Sequence, residues 1–392
     1  MTKSPIHRQP WPESASRPLA SPLQPSVVYA TDSPDTLDAQ YGGQLPGYTY
    51  AREGHPNADV LARMIDAMEG VTGGIVTGSG MAAVTAGLLG AVRAGDHVLG
   101  GNQLYGRSLR LMTETLPALG ISASTADATD ADAFAQAIRP NTKLILIEVV
   151  SNPTIRVADL AGIAAIARQR GILLAVDNTF TTPRGIQPFN HGADIVIHSV
   201  TKLLAGHSDA TLGYVAAKDP ALQERIVTFA VTTGLTPSPF DCWLAERGML
   251  SFPLRYDRAE ANAVALADAL AEMEGITQVL YPTRPDHPDH NRARALLGDR
   301  GSHMLSFEVA GGRAAANALV AAMPEIPFAP TLGDIGTTLS HPATSSHRAL
   351  SADARAEIGI SEGFFRVSVG CEEPGALADL FARGIAAARS AV

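Results

Sequence analysis

Cysteine is scarce in this sequence, whose 392 residues include only Cys242 and Cys371. Two thiols so far apart form neither a disulfide framework nor a zinc knuckle, so we expect a reducing, cytoplasmic setting. The longest apolar run, around residues 80–92, is shorter than the ~18 residues that a transmembrane helix needs. The Pro- and Ser-rich residues 1–25 contain no apolar segment typical of a signal peptide, so we expect neither secretion nor membrane insertion.

Positive charge is also limited, because the chain contains 30 Lys and Arg residues but 39 Asp and Glu residues, which gives a net charge of -9. This balance argues against nucleic acid or an anionic membrane surface as the main partner. Lysine is rarer still, since the chain contains only Lys3, Lys143, Lys202 and Lys218. Arginine cannot readily lose its proton or form an imine, so a lysine kept in an arginine-rich chain is a candidate for chemistry.

Helical patterns alternate with short apolar runs through residues 56–245. Runs such as LILIEVV and ILLAVD are apolar almost throughout, which is typical of strands covered on both faces of a parallel sheet. The sequence therefore predicts an α/β domain with a mostly parallel sheet over residues 56–245. An extended N-terminal arm is expected over residues 1–55, and a smaller α+β domain over residues 246–392.

The individual elements follow from the same patterns. In the larger domain we predict helices over 58–69, 81–93, 106–119 and 160–170, and strands over 97–100, 144–150, 173–177, 194–199 and 213–217. In the smaller domain we predict helices over 258–273, 312–323 and 374–391, and strands in ITQVLYP, HMLSFEVA and FFRVSVG.

Lys202 lies just after the predicted strand at 194–199, in the segment HSVTKLLAGHSD. Ligands of open α/β sheets bind at the carboxyl ends of the strands, so this lysine is expected at a binding edge. A lysine becomes a nucleophile or an imine former where its amine is partly desolvated. The alternative is a solvated loop lysine, and the nearby hydroxyls of Ser199 and Thr201 argue against it.

Asp177 ends the predicted strand ILLAVD. A carboxylate in this position can ligate a metal, cap a helix or pair with a protonated ring nitrogen. Pyridoxal phosphate requires the last of these, because its pyridinium ring is the electron sink for a substrate carbanion. Taken alone, Asp177 is more consistent with a structural role. Together with Lys202 at the same predicted edge of the sheet, it indicates a pyridoxal-phosphate site.

The segment TGSGMAAVTAGLL turns into a predicted helix, so free N–H groups near Gly80 and Met81 indicate a phosphate site. The pattern Gly78-x-Gly80-x-x-Ala83 also fits a dinucleotide fingerprint. That fingerprint needs an acid at a strand end about 20 residues further on, and Asp96 instead follows Ala-Gly in a turn. Nicotinamide binding is therefore the weaker alternative.

Two side chains in apolar surroundings are further candidates. Tyr105 follows the run HVLGG and can either stack on a planar cofactor or form part of the core or rim. Arg366 lies inside FFRVSVG, where an unpaired charge is costly, so we expect it to meet a substrate carboxylate or a structural acid. His287 and His290 lie in a polar loop without further ligands, and we expect no metal site.

Together these segments resemble the Cys/Met-metabolism family of fold-type-I pyridoxal-phosphate enzymes, from about Tyr48 to Glu372. The family includes cystathionine γ-synthase, the cystathionine lyases, methionine γ-lyase and O-acetylhomoserine sulfhydrylase. The segments that carry the resemblance are GYTYAREGHPNAD, GSGMAA, LYGRS, EVVSNP, VDNTF, HSVTKLLAGHSD, SPFDCWLAERG, TLGDIGTTLSHPATSSHR and RVSVGCEE.

The resemblance implies that Lys202 forms the Schiff base with pyridoxal phosphate and moves protons between substrate carbons. It also implies that Asp177 pairs with the pyridine nitrogen and that Tyr105 stacks on the ring. A homotetramer built from two active dimers is implied as well. The other implied roles are phosphate binding by Gly80, Met81, Ser199 and Thr201, phosphate binding from the neighbouring subunit by Tyr50 and Arg52, binding of the substrate carboxylate by Arg366, contact with the cofactor O3′ region by Asn152, and proximity to the substrate for Thr331.

Four positions depart from the family pattern. Residues 55–57 read HPN where the family has NPT, and Thr331 replaces a serine. Arg107 stands where the family has a small residue or cysteine. Its positive charge favours a substrate that carries an anion at its distal end. Gly336 stands where members that handle cystathionine usually keep a glutamate, so nothing obvious meets the distal ammonium of cystathionine.

By resemblance, the reaction is that of a transsulfuration-type C–S lyase or γ-synthase acting on a sulfur-containing amino acid or an activated homoserine. The substrate amine would displace Lys202 to give an external aldimine, and the freed lysine would remove the α-proton. An O-acylhomoserine sulfhydrylase or another γ-replacement enzyme is the first alternative. A catalytically silent cofactor-binding scaffold is the second.

Overall fold

Short runs of β-branched and other apolar residues form the strands of a seven-stranded sheet. The computed structural model describes residues 14–348 and 350–391. The strands of this large sheet are β1 (Ile75–Thr77), β2 (His97–Gly101), β3 (Ser122–Ala126), β4 (Thr142–Glu148), β5 (Leu173–Asp177), β6 (Ile195–His198) and β7 (Gly213–Ala217).

The strand order of the large sheet is β1-β7-β6-β5-β4-β2-β3. Neighbouring strands from β6 to β3 run parallel. Only β7 runs antiparallel to its neighbours β1 and β6. The central strands are buried along nearly their whole length, which explains why they read as continuous apolar runs.

A second, smaller sheet lies in the C-terminal part of the chain. Its strands are β8 (Ile276–Leu280), β9 (Met304–Val309), β10 (Thr338–Ser340) and β11 (Phe364–Ser368). The order is β10-β11-β9-β8, and all neighbours are antiparallel. The expected α/β architecture, with a large and mostly parallel sheet and a smaller C-terminal α+β layer, is confirmed.

Helices cover both faces of the large sheet and pack on the small one. They are α1 (Pro34–Tyr41), α2 (Pro56–Glu69), α3 (Gly80–Leu89), α4 (Gly106–Arg110), α5 (Leu116–Ala118), α6 (Ala131–Ala137), α7 (Leu160–Arg170), α8 (Thr182–Gly185), α9 (Pro220–Thr233), α10 (Pro239–Ala271), α11 (His290–Leu297), α12 (Gly312–Ala321), α13 (Ala352–Glu357) and α14 (Pro374–Ser390). A π-helical turn, Leu111–Thr115, joins α4 to α5. Every helix of residues 14–348 and 350–391 is too short or too polar to serve as a transmembrane span.

Local signals explain where these helices begin and end. The Ser79 side chain accepts the Ala82 N–H and caps α3, and Asp219 caps α9 in the same way. Gly171 ends α7 in the left-handed conformation that glycine adopts without strain. The sequence patterns did not predict the strands β1, β3 and β10 or the helices α1, α6, α8, α9, α11 and α13.

The longest helix, α10, runs through the position predicted as a domain boundary. It begins after Ser238, whose side chain accepts the Asp241 N–H, and it contains Pro253 within its length. The chain therefore crosses residue 245 inside a continuous helix, and the division at 245 stays a prediction. In the predicted arm, residues 27–29 hydrogen-bond to residues 49–51, and α1 adds one short helix.

A buried histidine lies at the start of β9. The side chain of His303 is fully buried, its Nδ1 lies 3.1 Å from the Ser302 hydroxyl, and its Nε2 has no partner among the described residues. Burial, followed by the charges of Arg366 and Arg255, lowers the pKa of His303 to about 3. A histidine with a lowered folded pKa contributes stability above its unfolded value of about 6.5, and this contribution is lost as the pH falls towards the folded value.

We therefore expect His303→Gln to reduce the acid sensitivity of the fold. Between about pH 7 and about pH 5, protonation of His303 in the unfolded chain removes ~2 kcal/mol from the free energy of unfolding of the unsubstituted protein. Urea denaturation at a series of pH values measures this loss. The matched control is His191→Gln, an exposed position that should leave the slope unchanged. An equal pH dependence for His303→Gln and the unsubstituted protein would contradict the assignment.

Candidate active site

The carboxyl ends of β1, β4, β5 and β6 meet at one edge of the large sheet. A cleft of ≈ 230 Å³ opens at this edge. Its lining residues are Ser79, Gly80, Met81, Val84, Tyr105, Ser108, Glu148, Asn152, Asp177, Thr179, Phe180, Ser199, Thr201, Lys202, Thr211, Pro330, Thr331, Leu332 and Arg366. The cleft therefore brings together every predicted site residue except Tyr50 and Arg52.

Lys202 sits in a tight turn that follows β6. Its backbone N–H donates to the Ser199 carbonyl at 3.1 Å, and its own carbonyl accepts the Gly206 N–H at 2.8 Å. Burial, followed by the charge of Arg366, lowers the pKa of the Lys202 amine. More of this amine is therefore neutral and nucleophilic at a given pH than that of an exposed lysine.

A buried arginine of α10 holds the turn that carries Lys202. Arg255 is 5 % exposed, and its guanidinium donates to the carbonyls of Leu203 at 2.7 Å and Leu204 at 3.0 Å. Gly206 has a φ of +75°, and a Cβ there would come within 1.8 Å of the Arg255 guanidinium. The turn therefore depends on the arginine and the glycine together, and sequence reasoning identified neither.

Asp177 ends β5 and faces the cleft. Its Oδ1 accepts the Thr179 N–H at 3.0 Å, and the Thr179 hydroxyl oxygen accepts the Ser199 N–H at 2.7 Å. Burial raises the pKa of Asp177, while hydrogen bonds from Thr179 and the charge of His198 offset part of this rise. A sheltered carboxyl group with these supports fits the partner of a protonated ring nitrogen.

Glu148 is a second acid of the cleft, and sequence reasoning missed it. It ends β4 as Asp177 ends β5, and the two residues are register partners on neighbouring strands. Burial and the charge of Asp177 raise the pKa of Glu148 well above its ordinary value. The signal was available in the sequence, because an acid also follows the buried apolar run LILI at residues 144–147.

The other end of the cleft is formed by the start of α3. The Ser79 hydroxyl accepts the Ala82 N–H, while the N–H groups of Gly80 and Met81 belong to the first turn, which has no intrahelical acceptors. A Cβ at residue 80 would lie 2.7 Å from the Cβ and Oγ of Ser199, so only glycine permits this close approach. Backbone donors and the Ser199 hydroxyl together fit a phosphate group.

Arg366 enters the cleft from β11 of the small sheet and is 6 % exposed. Its guanidinium donates to Asn152 Oδ1 at 2.7 Å and to the Thr331 carbonyl at 2.6 Å. Its Nε has no partner among the described residues, and burial lowers the pKa of Arg366 to about 10. A buried guanidinium held by neutral groups fits a ligand that carries a carboxylate.

Three predicted residues have exposed side chains. The Tyr105 side chain lies at the cleft and is 42 % exposed, which leaves its ring accessible to a planar ligand. Tyr50 is 41 % exposed and lies outside the cleft, with the Arg52 guanidinium 5.6 Å from its ring centroid. Arg52 also donates to the Val231 carbonyl at 3.2 Å. The role of Tyr50 and Arg52 towards a neighbouring subunit stays a prediction.

The donor set of the cleft fits pyridoxal phosphate. Lys202 offers an amine for the aldehyde, Asp177 an acid for the ring nitrogen, and the start of α3 N–H groups for the phosphate. Arg366 then remains for the carboxylate of an amino acid.

Comparisons with known proteins agree with this geometry. The chain is 39 % identical over 349 residues to the O-succinylhomoserine sulfhydrylase of Pseudomonas aeruginosa, covering 89 % of this chain and 86 % of that protein. It is 37 % identical over 331 residues to the cystathionine gamma-lyase of Bacillus subtilis, covering 84 % and 86 %. A solved structure from Campylobacter jejuni that contains N'-pyridoxyl-lysine-5'-monophosphate matches with a TM-score of 0.90 and 28 % identity, covering 96 % and 97 %.

The fold is that of the fold-type-I pyridoxal-phosphate enzymes. The family model for the Cys/Met metabolism PLP-dependent enzymes matches residues 3–386, which is almost the whole chain. The protein belongs to the Cys/Met metabolism family of PLP-dependent enzymes.

Proposed function

We propose that this protein is a γ-replacement enzyme that uses pyridoxal phosphate to exchange the acyloxy group of an O-acylhomoserine for a sulfur nucleophile. We further propose that the acyl group carries a distal carboxylate. The observation that carries this proposal is a group of three arginines at the outer end of the site, Arg107, Arg110 and Arg348, here named the arginine rim.

The arginine rim lines a second cleft of ≈ 550 Å³, which shares Tyr105 and Pro330 with the first. The other lining residues are Gly106, Thr344, Ser345 and Ser346, so the described lining includes hydroxyl groups and no acid. Arg110 pairs with Glu114 at 2.7 Å. Arg107 and Arg348 form no ion pair within the described residues, which leaves two guanidinium groups for a ligand carboxylate.

Binding at both ends orients such a substrate. Arg366 receives the α-carboxylate, and the arginine rim receives the distal carboxylate. Bound pyridoxal phosphate supplies the electron sink for negative charge at the α-carbon. Lys202 accepts the α-proton at its amine and then assists removal of a β-proton, which allows the Cγ–O bond to break, so that the acyl group leaves as a carboxylate with the electron pair. The sulfur nucleophile gives up its proton and forms the Cγ–S bond in its place, and protons return to the β- and α-carbons.

The relatives support this substrate class. A relative that is 39 % identical to the chain is named O-succinylhomoserine sulfhydrylase. The substrate in that name carries a succinyl group, which ends in a carboxylate. The absence of a side chain at Gly336 points the same way. Two carboxylates lie near that glycine. Asp334 accepts the Gly336 N–H at 2.9 Å and the Ser208 hydroxyl, and Glu372 accepts the N–H and the hydroxyl of Thr337. Both are therefore already engaged and are poorly placed to meet the distal ammonium of cystathionine.

A C–S lyase is the second candidate. It is favoured by the relative named cystathionine gamma-lyase, which is 37 % identical to the chain. Both reactions need the same α-proton abstraction by Lys202, and they differ in whether a sulfur nucleophile enters or a 2-oxo acid and ammonia leave. A substrate panel therefore separates them. Absence of turnover with every substrate would favour the silent scaffold.

We also propose a homo-oligomer, with a tetramer of two active dimers as the expected form. Tyr50 and Arg52 lie outside the cleft of their own chain, which supports contribution to the site of a second subunit. Exposed apolar side chains on the arm and on α10, such as Val28, Leu250 and Leu254, support contact between subunits. The two free cysteines fit a reducing, cytoplasmic setting.

Borohydride reduction tests the cofactor linkage. We expect it to fix pyridoxal phosphate on Lys202, and Lys202→Arg should abolish the adduct and lower kcat by about 10³-fold or more, because proton transfer is lost with the linkage. Lys218→Arg is the matched control, since Lys218 is exposed and lies outside the cleft. Peptide mapping by mass spectrometry locates the adduct. An adduct on Lys143 or Lys218 would refute the assignment.

The arginine rim makes a prediction about substrate choice. Arg107→Ala and Arg348→Ala should each lower kcat/KM for O-succinylhomoserine about tenfold, because each removes one charged hydrogen-bond donor to the distal carboxylate. The value for O-acetylhomoserine, which has no distal carboxylate, should stay the same. Steady-state assays with sulfide or cysteine measure both values.

Arg93→Ala, an exposed arginine outside both clefts, is the matched control and should change neither value. Equal losses for the two esters in Arg107→Ala and Arg348→Ala would contradict the proposed distal contact. Faster release of 2-oxo acid from cystathionine than replacement on either ester would favour the lyase.

A further inference from the structure

Glu148 and Asp177 form a pair of carboxyl groups at the cleft. They are register partners at the ends of the parallel strands β4 and β5, and both line the same cavity. Neighbouring strands lie about 4.8 Å apart, and register partners point to the same face. Two carboxyl groups held this close in a buried site are costly to ionise together.

The two acids have unequal support. Asp177 accepts the Thr179 N–H at 3.0 Å, and the Thr179 hydroxyl and the charge of His198 also stabilise its ionised form. Glu148 accepts the Tyr105 N–H through Oε1 at 2.7 Å, and the Asn152 N–H also favours its ionised form, but its Oε2 is buried without a hydrogen-bond partner among the described residues. The charge nearest in effect to Glu148 is that of Asp177, which has the same sign. Asp177 is therefore the member that ionises more easily.

We propose that Glu148 is a positioning residue that works as an undissociated acid: it anchors the backbone of Tyr105, and it leaves Asp177 as the only charged member of the pair. This inference concerns the cofactor end of the cleft, and it goes beyond the proposed substrate because it holds for either reaction.

The anchor acts on the residue proposed to stack on the cofactor ring. Tyr105 immediately precedes α4, and its N–H is donated to Glu148. The Tyr105 side chain is 42 % exposed, and the hydrogen bond from its N–H to Glu148 ties its backbone to the wall of the cleft. Loss of the acceptor oxygen is therefore expected to loosen the ring, whereas a neutral side chain with the same oxygen should keep it in place.

The undissociated state also affects the charge balance of the site. A single carboxylate on Asp177 matches a single protonated ring nitrogen. An ionised Glu148 would add a second negative charge that no described basic side chain balances. In the undissociated state, Oε2 carries a hydrogen and becomes a donor in place of an unpartnered acceptor.

The stability of the fold should depend on this proton as well. Burial raises the pKa of Glu148 above its unfolded value of about 4.3. The neutral form of Glu148 therefore stabilises the fold, and this contribution is fully present at pH values below about 4.3. The contribution is lost as the pH rises towards the folded pKa. Glu148→Gln cannot ionise and should therefore gain stability relative to the unsubstituted protein as the pH rises through this window.

Infrared difference spectra between the unsubstituted holoenzyme and its Glu148→Gln and Asp177→Asn variants test the proposal directly. At neutral pH the unsubstituted enzyme should give the carbonyl band of an undissociated carboxyl group, and Glu148→Gln should remove it. The matched control Glu114→Gln, at an exposed acid paired with Arg110, should retain the band. No band in the unsubstituted enzyme, or a band that survives Glu148→Gln and disappears in Asp177→Asn, would overturn the proposal.

Cofactor binding supplies a second readout. Glu148→Ala should raise the Kd for pyridoxal phosphate at least about tenfold, because Tyr105 loses its anchor, and Glu148→Gln should raise it less than about threefold. Equal weakening in both variants would mean that the charge of Glu148 is required, which would overturn the proposal. These measurements need no substrate, so their outcome is independent of whether γ-replacement is the correct reaction.

Discussion

The Arg366 guanidinium is buried without an acidic partner among the described residues, and much of the active site depends on this arrangement. Burial of an unpaired cation costs several kcal/mol, and hydrogen bonds to Asn152 and Thr331 offset only part of that cost. The same charge acts on its neighbours, because it helps to lower the pKa of Lys202, His303 and His347. One residue of the small sheet therefore offers a cation to a ligand carboxylate and favours a neutral amine on Lys202.

Acids dominate the opposite wall of the cleft. Asp177 and Glu148 end neighbouring strands of the large sheet, and the site lies between them and Arg366 of the small sheet. This layout would separate the tasks, because the acids could serve the cofactor ring while the arginine serves the amino acid. The turn that carries Lys202 is fixed by Arg255 through main-chain carbonyls. Charge placement and backbone rigidity therefore come from different parts of the chain.

The sequence was sufficient to predict the α/β fold and to propose Lys202 and Asp177, because apolar strands that end in a polar residue mark the binding edge of a parallel sheet. It was not sufficient for Arg255, because the main-chain carbonyls of Leu203 and Leu204 that it holds are distant in sequence. Glu148 was missed although it closes a buried strand as Asp177 does. The short strand Ile75–Thr77 carries too few residues for a clear pattern, and the extent of the Pro239–Ala271 helix depends on packing that crosses a change in composition.

A crystal structure of the protein grown with pyridoxal phosphate and an O-succinylhomoserine analogue tests the central claim most directly. The account predicts the cofactor ring beside Asp177 and the amino-acid carboxylate on the Arg366 guanidinium, without rearrangement of Arg366 from its contacts with Asn152 and Thr331. An Arg366 side chain paired with a protein acid, with the ligand carboxylate bound elsewhere, would contradict it.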